Sequence, residues 1–179
     1  MRYSTRLLPI LLILVACDQP ALTAPALLQT QVVPIRSDYL ASGTIGAAPR
    51  CDALGLLYVS LAGGGIESHI GRYTITNSHC LDPATGEFTA GQFTKVSASG
   101  DELRGTYHGT SSVVQAPAPV GIFAVEGQLV FDGGTGRFAG AAGSQSMRGT
   151  LTSDFSQPDV PTTAELQLVG TISTVGSTR

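Results

Sequence analysis

From Asp52 onward, apolar and polar residues alternate in short runs cut by glycine- or proline-rich turns. Alternation with a period of two marks half-buried β-strands. Leu54–Leu61 is a first apolar strand, ended by Gly63-Gly64-Gly65. In Ser68–Asn77, His69, Tyr73 and Ile75 share one face, opposite Arg72, Thr74 and Thr76. Phe88–Ala98 places Phe88, Ala90, Thr94, Val96 and Ala98 together, and Glu102–Val114 does the same for Leu103, Tyr107 and Val113. In Gly121–Phe131, Phe123, Val125, Leu129 and Phe131 oppose Glu126 and Gln128. Arg137–Ala142, Ser144–Ser153 and Ala164–Thr174 complete the set, the last with Leu166, Leu168 and Ile172 on one side. These are about eight strands, with no segment of helical period between them. Strands joined in order by short turns form an up-and-down antiparallel sheet, and at about eight strands such a sheet closes into a barrel with no exposed edge. The fold class expected is therefore all-β, an eight-stranded antiparallel barrel, with a β-sandwich as the alternative.

The N-terminus has a different pattern. Arg2 and Arg6 precede an apolar run, Leu7–Ala16, that ends on Leu14-Val15-Ala16-Cys17. Charge, apolar run and small residue in that order are the marks of a secretory signal peptide. Ten helical residues rise only about 15 Å, too short for a lasting membrane span. The closing tetrapeptide resembles the bacterial lipobox, which makes Cys17 the candidate lipidation site and residues 1–16 the signal peptide. A plain signal peptide with a chance cysteine is the alternative. Residues 17–50 carry Pro20, Pro25, Pro34 and Pro49 and no clear period, and are read as a lipidated cysteine followed by a Pro/Ala-rich tether. Residues 51–179 are then the barrel domain. The expected localisation is the bacterial cell envelope, lipid-anchored.

Charge narrows the partners. Losing Arg2 and Arg6 with the signal takes the basic residues from 10 to eight, against 13 acidic ones. Only one lysine is present, so no basic patch is available for a phosphate backbone, and nucleic acid is not an expected partner. Low charge with 22 Gly and no Trp fits strands and tight turns.

With Cys17 acylated, Cys51 and Cys80 remain as an even pair, and in an oxidising compartment such a pair favours a disulfide. The competing reading is a metal site made of Cys51, His69, His79 and Cys80. Those four lack close CxxC spacing, and adjacent strand residues such as His79 and Cys80 point to opposite faces. The expectation is a disulfide, no metal and no cofactor.

The stretch Gly133-Gly134-Thr135-Gly136-Arg137-Phe138-Ala139-Gly140-Ala141-Ala142-Gly143 resembles the GGTGRF-x-G-A-x-G segment of dirigent and allene oxide cyclase-like barrels, which bacterial proteins of unknown function share. His69–Thr74, Ser99–Leu103 and Gly170–Ser173 extend the resemblance, which covers about Leu54–Ser173. It implies a barrel; the plant members are cyclases or guide radical coupling, and their catalytic residues lie outside the matching segment. The glycines themselves suit positive φ and sharp bends at a barrel corner. No helix and no GK[ST] follow, so a phosphate loop is not expected.

Candidate chemistry is sparse. His69 and Glu126 are the candidate polar residues of a lumen, His69 because it shares a face with Tyr73, and Glu126 because it becomes a candidate acid or base if its face turns inward. His108 is expected in solvent, and no GxSxG elbow accompanies Ser111, Ser112, Ser144 or Ser146. Arg72, Arg104 and Arg148 are candidates for a polar group with Glu102. The functional expectation is a membrane-anchored, non-enzymatic barrel that holds a small apolar ligand or a protein partner. An isomerase or cyclase working in the lumen and a structural, homo-oligomeric envelope component are the alternatives.

Overall fold

The computed structural model describes residues 30–175. Eight strands follow one another in chain order: β1 Thr30–Gly46, β2 Leu57–Glu67, β3 Gly71–Leu81, β4 Glu87–Ser97, β5 Glu102–Gln115, β6 Val120–Gly134, β7 Ala142–Asp154 and β8 Pro161–Val175. Each pairs antiparallel with the next, and β1 pairs with β8 from Thr30↔Val175 to Thr44↔Pro161, which closes the barrel. The expected eight-stranded antiparallel barrel is the fold.

Two boundaries differ from the sequence reading. The barrel starts at Thr30, so Thr30–Gly46 is a wall strand and not part of a tether spanning 17–50. Its period is plain once seen. Ile35, Ser37, Tyr39, Ala41 and Ile45 are buried, while Pro34, Arg36, Asp38, Leu40, Ser42 and Thr44 face out. Pro34 lies before Ser37, where the pairing with β2 begins, and so sits at the edge setting that tolerates a residue without an N–H. Arg137–Ala142 is the converse case. Gly136–Phe138 forms one turn of 3₁₀-helix, α1 being the short helix Pro49–Asp52, and no strand runs there. One strand too few upstream and one too many downstream left the expected number unchanged.

The inner face of the sheet is a filled core. Ile35, Val59, Leu103, Leu168 and Ile172 are almost fully buried along with Phe88, Phe93, Tyr107 and Phe131. Glycines make room for the rings. A Cβ on Gly105 would lie 2.7 Å from Phe93 Cζ, and one on Gly109 would lie 2.5 Å from Phe88 Cζ. An eight-stranded barrel is just wide enough for side chains to fill, and this one is filled.

β4 contains an irregularity that decides what enters the lumen. Its register to β5 shifts between Phe88 and Gly91, and Ala90 has φ +51°. The extra residue reverses the phase of the strand. Phe88 points inward, and beyond the bulge so do Gly91, Phe93, Lys95 and Ser97. Ala90, Thr94, Val96 and Ala98, expected with Phe88, do not share its face.

Candidate functional site

The barrel has two unlike ends, and the apolar core between them holds a few polar side chains. At the first end, β2–β3, β4–β5 and β6–β7 turn. The Gly133–Phe138 motif closes it. Gly136 takes φ +53° and Gly133 φ +106°, backbone that a side chain rarely adopts. Phe138 and Ile70 are buried, and Arg137 donates from Nη2 to the Ile70 carbonyl at 2.7 Å and pairs with Asp101 at 3.6 Å. The motif is thus a plug in the β6–β7 connection, held by the β2–β3 and β4–β5 loops.

Directly inside the barrel wall on that side is an ion pair that sequence reading missed. Lys95 Nζ lies 2.6 Å from Glu67 Oε2 and donates to Gln145 Oε1 at 2.9 Å, while Gln145 Nε2 donates to the same Glu67 oxygen at 3.0 Å. All three side chains are sealed from solvent. Nζ also sits 5.0 Å above the Tyr73 ring, whose hydroxyl shares a 2.6 Å hydrogen bond with Ser37. Burial pushes the Lys95 ammonium below its ordinary range, and the Glu67 carboxylate opposes that shift. The signal for this cluster was present in the sequence. Phe88 and Phe93 are an odd number of residues apart, so both can face inward only across a bulge, and that bulge carries the protein's single lysine inward.

Further along the lumen, Asn77 Nδ2 donates to the Tyr39 hydroxyl at 2.6 Å. A cavity of about 20 Å³ adjoins them, lined also by Phe93, Tyr107 and Met147. That is room for about one water molecule and no substrate. His79 and Tyr107 follow, with Nδ1 and hydroxyl 2.8 Å apart and Phe88 against the imidazole at 4.8 Å. Desolvation, helped by Arg50, lowers the His79 pKa to about 4, so the ring is neutral at physiological pH. Burial raises Tyr107 well above the usual phenol range.

The second end is an open mouth. Here β1–β2, β3–β4, β5–β6 and β7–β8 are joined. A cleft of about 460 Å³ lies across it. Ile45, Leu57, Leu81, Phe123 and Leu151 line it as buried or half-buried side chains, and exposed Val113 and Phe155 stand at its rim. Phe123 and Phe155 meet edge to face, with centroids 6.1 Å apart. The hydroxyls within it are largely committed: Ser111 Oγ donates to the Gly86 carbonyl, and Ser153 Oγ pairs with Thr162 Oγ1 at 2.9 Å. Exposed Val114 and Leu54 belong to the same end. An apolar concavity of this volume falls within the size range of small-molecule sites.

The mouth is braced by the disulfide. Cys51 and Cys80 are bonded with Cα atoms 5.4 Å apart. Cys80 is in β3 opposite Tyr58 of β2, beside the Leu57↔Leu81 pair that lines the cleft. Cys51 is in α1, so the bond folds the β1–β2 connection against the outer wall and does not fasten a tether. Arg50 follows it there, 4.9 Å over the Tyr58 ring and donating to Ser78 Oγ.

The remaining candidates scatter. His69 is exposed in the β2–β3 turn with φ +76°, because β3 begins only at Gly71, and it is no lumen residue. Glu126 is on the outer wall, 70% exposed and 3.8 Å from Arg148, because Val125 and Leu129 take the inward phase of β6. A metal site of Cys51, His69, His79 and Cys80 is excluded: the disulfide uses both thiols, and His69 and His79 are at opposite ends of the barrel. Arg104 pairs with Glu102 on its own strand and Arg148 with Glu126, so the expected arginine group does not assemble. Cys17 lies outside the described residues. Compared with protein-family models, curated proteins and solved structures, the chain matches none.

Proposed function

We propose that this protein is an exported, lipid-anchored β-barrel that holds a small apolar ligand in the mouth at its disulfide end. The observation that carries this reading is the cleft of about 460 Å³, apolar in its floor and open at its rim. The lumen, where a cyclase or isomerase would have to work, offers about 20 Å³ at its centre and buries its ionisable groups. Binding at the mouth needs no catalytic group, and the Ser111 and Ser153 hydroxyls there are already hydrogen-bonded. Export and anchoring rest on Arg2, Arg6, the apolar run and Cys17; kinship with dirigent and allene oxide cyclase-like barrels rests on the Gly133–Phe138 motif and belongs to the same proposal.

Titration with the neutral fluorophore N-phenyl-1-naphthylamine tests the binding. Saturable uptake by one site is expected, weakened about tenfold or more by Val113→Ser with Phe155→Ser, because loss of two apolar contacts costs at least about 1.4 kcal/mol. Both residues are exposed, so the melting temperature should fall only by the small share that the Phe123–Phe155 contact contributes. Absence of saturable uptake by the native protein overturns the reading. Palmitate labelling of cells producing native and Cys17→Ser protein tests the anchor; equal labelling of the two removes it.

A further inference from the structure

We infer that the ligand held at this mouth is a cationic amphiphile, with its apolar chain in the cleft and its positive head at the rim. The inference rests on the binding reading above and adds the charge of the ligand. The rim is acidic on balance. Asp82 lines the cleft, Glu87 follows the lining residue Gly86, and Asp154 sits between the lining residues Ser153 and Phe155. Asp52 and Asp159 are in the other connections at the same end. Arg50 is the basic residue of these connections, stacked on Tyr58 and donating to Ser78 of the outer wall, so five carboxylates stand against one guanidinium.

On the plugged side three acids have basic partners, Asp101 with Arg137, Glu102 with Arg104 and Glu67 with Lys95, while Asp38 and Asp132 are in no ion pair among the described residues. Among the described residues, none of the five carboxylates at the mouth is in an ion pair. Two of them are also fixed as anions. Asp82 accepts from the Ala84 N–H and Asp154 from the Ser156 hydroxyl and N–H, and these hydrogen bonds hold both carboxyls below the usual range. An excess of one sign beside a low-dielectric concavity focuses its field there. A fatty acid or alkyl sulfate would set like charge against that excess, a neutral chain would gain only burial, and an alkylammonium would gain both.

The test is displacement of N-phenyl-1-naphthylamine from the purified protein by decyltrimethylammonium, decanol and decanoate, at low and at high salt. Decyltrimethylammonium should bind about tenfold or more tighter than decanol at low salt, with decanoate weakest. High salt should narrow the gap, since the Debye length shrinks to a few ångströms. Asp82→Asn with Asp154→Asn should narrow it too, at unchanged melting temperature, because asparagine Oδ1 can still accept these loop hydrogen bonds. Glu87→Gln with Asp159→Asn is the second variant, free of those loop bonds, and should act in the same direction. Equal affinity for decanol and decyltrimethylammonium, or tighter binding of decanoate, overturns the inference and leaves apolar binding standing. Failure of all three to displace the fluorophore overturns both.

Discussion

His79 gives the molecule a titratable weak point. In the unfolded chain its imidazole takes up a proton near pH 6.5, but in the barrel only near pH 4. Between those values the unfolded state binds more protons, so stability rises with pH. The contribution of neutral His79 is whole above about pH 6.5 and is lost as pH falls toward 4, by on the order of 3 kcal/mol. Urea unfolding across that range should show the loss, and His79→Gln should flatten it. An unchanged pH profile in the variant would contradict the burial of a neutral ring. Lys95 and Glu67 behave differently, because they depend on each other. Lys95→Met alone strands a buried carboxylate and should cost about 3–5 kcal/mol. The double replacement with Glu67→Leu removes both charges and should cost clearly less than either single change. Additive losses in a double-mutant cycle would show the pair to be uncoupled. In the sequence Lys95 was legible as a luminal residue only through the odd spacing of Phe88 and Phe93, and Glu67 not at all. A lysine among Thr94, Val96 and Ala98 reads as a solvated residue until the bulge at Ala90 is known, and a bulge leaves no compositional mark beyond the odd spacing of Phe88 and Phe93.

Strand periodicity was legible wherever one face of the sheet meets the core and the other meets water. Leu103, Tyr107, Val125, Leu129, Phe131, Leu166, Leu168 and Ile172 were all expected inward and are buried there. It failed where another signal was louder. Proline and leucine content hid the alternation Ile35-Arg36-Ser37-Asp38-Tyr39, and glycine spacing made the plug around Phe138 look like a strand. His69 was misplaced because a hairpin turn and a strand end share the same residue types. The apolar mouth was not legible at all, since Leu57, Leu81, Val113 and Phe155 come from four separate segments that only closure brings together. β1 therefore offers a sharp test at this scale. It pairs along its length with β8 and over Ser37–Gly46 with β2, so its removal opens two edges at once. A chain of residues 51–179 should lack a cooperative unfolding transition and should associate through those edges. A monomer that melts cooperatively at the temperature of the full chain, by circular dichroism and size-exclusion chromatography, would contradict a structural role for β1.

As a whole the molecule is a closed wall with one end stoppered and the other receptive. The stoppered end holds Phe138, Ile70 and, beneath them, a sealed ion pair, so polarity there serves the interior. The receptive end spreads apolar side chains across four connections and sets unpaired acids near them, with a disulfide fastening α1 to β3 beside the cleft. This division separates binding at the mouth from chemistry in the lumen, and methyl groups report on the two regions independently. Leu57, Leu81, Val113 and Leu151 line the mouth, whereas Leu103, Leu168 and Ile172 are buried in the lumen. Titrating methyl-labelled protein with N-phenyl-1-naphthylamine and following the methyl resonances by NMR distinguishes them. Saturable shifts at Leu57, Leu81, Val113 and Leu151, with Leu103, Leu168 and Ile172 unmoved, are the expected result; shifts centred on Leu103, Leu168 and Ile172, or on the outer-wall residues Leu40 and Val169 while the mouth stays silent, would contradict it.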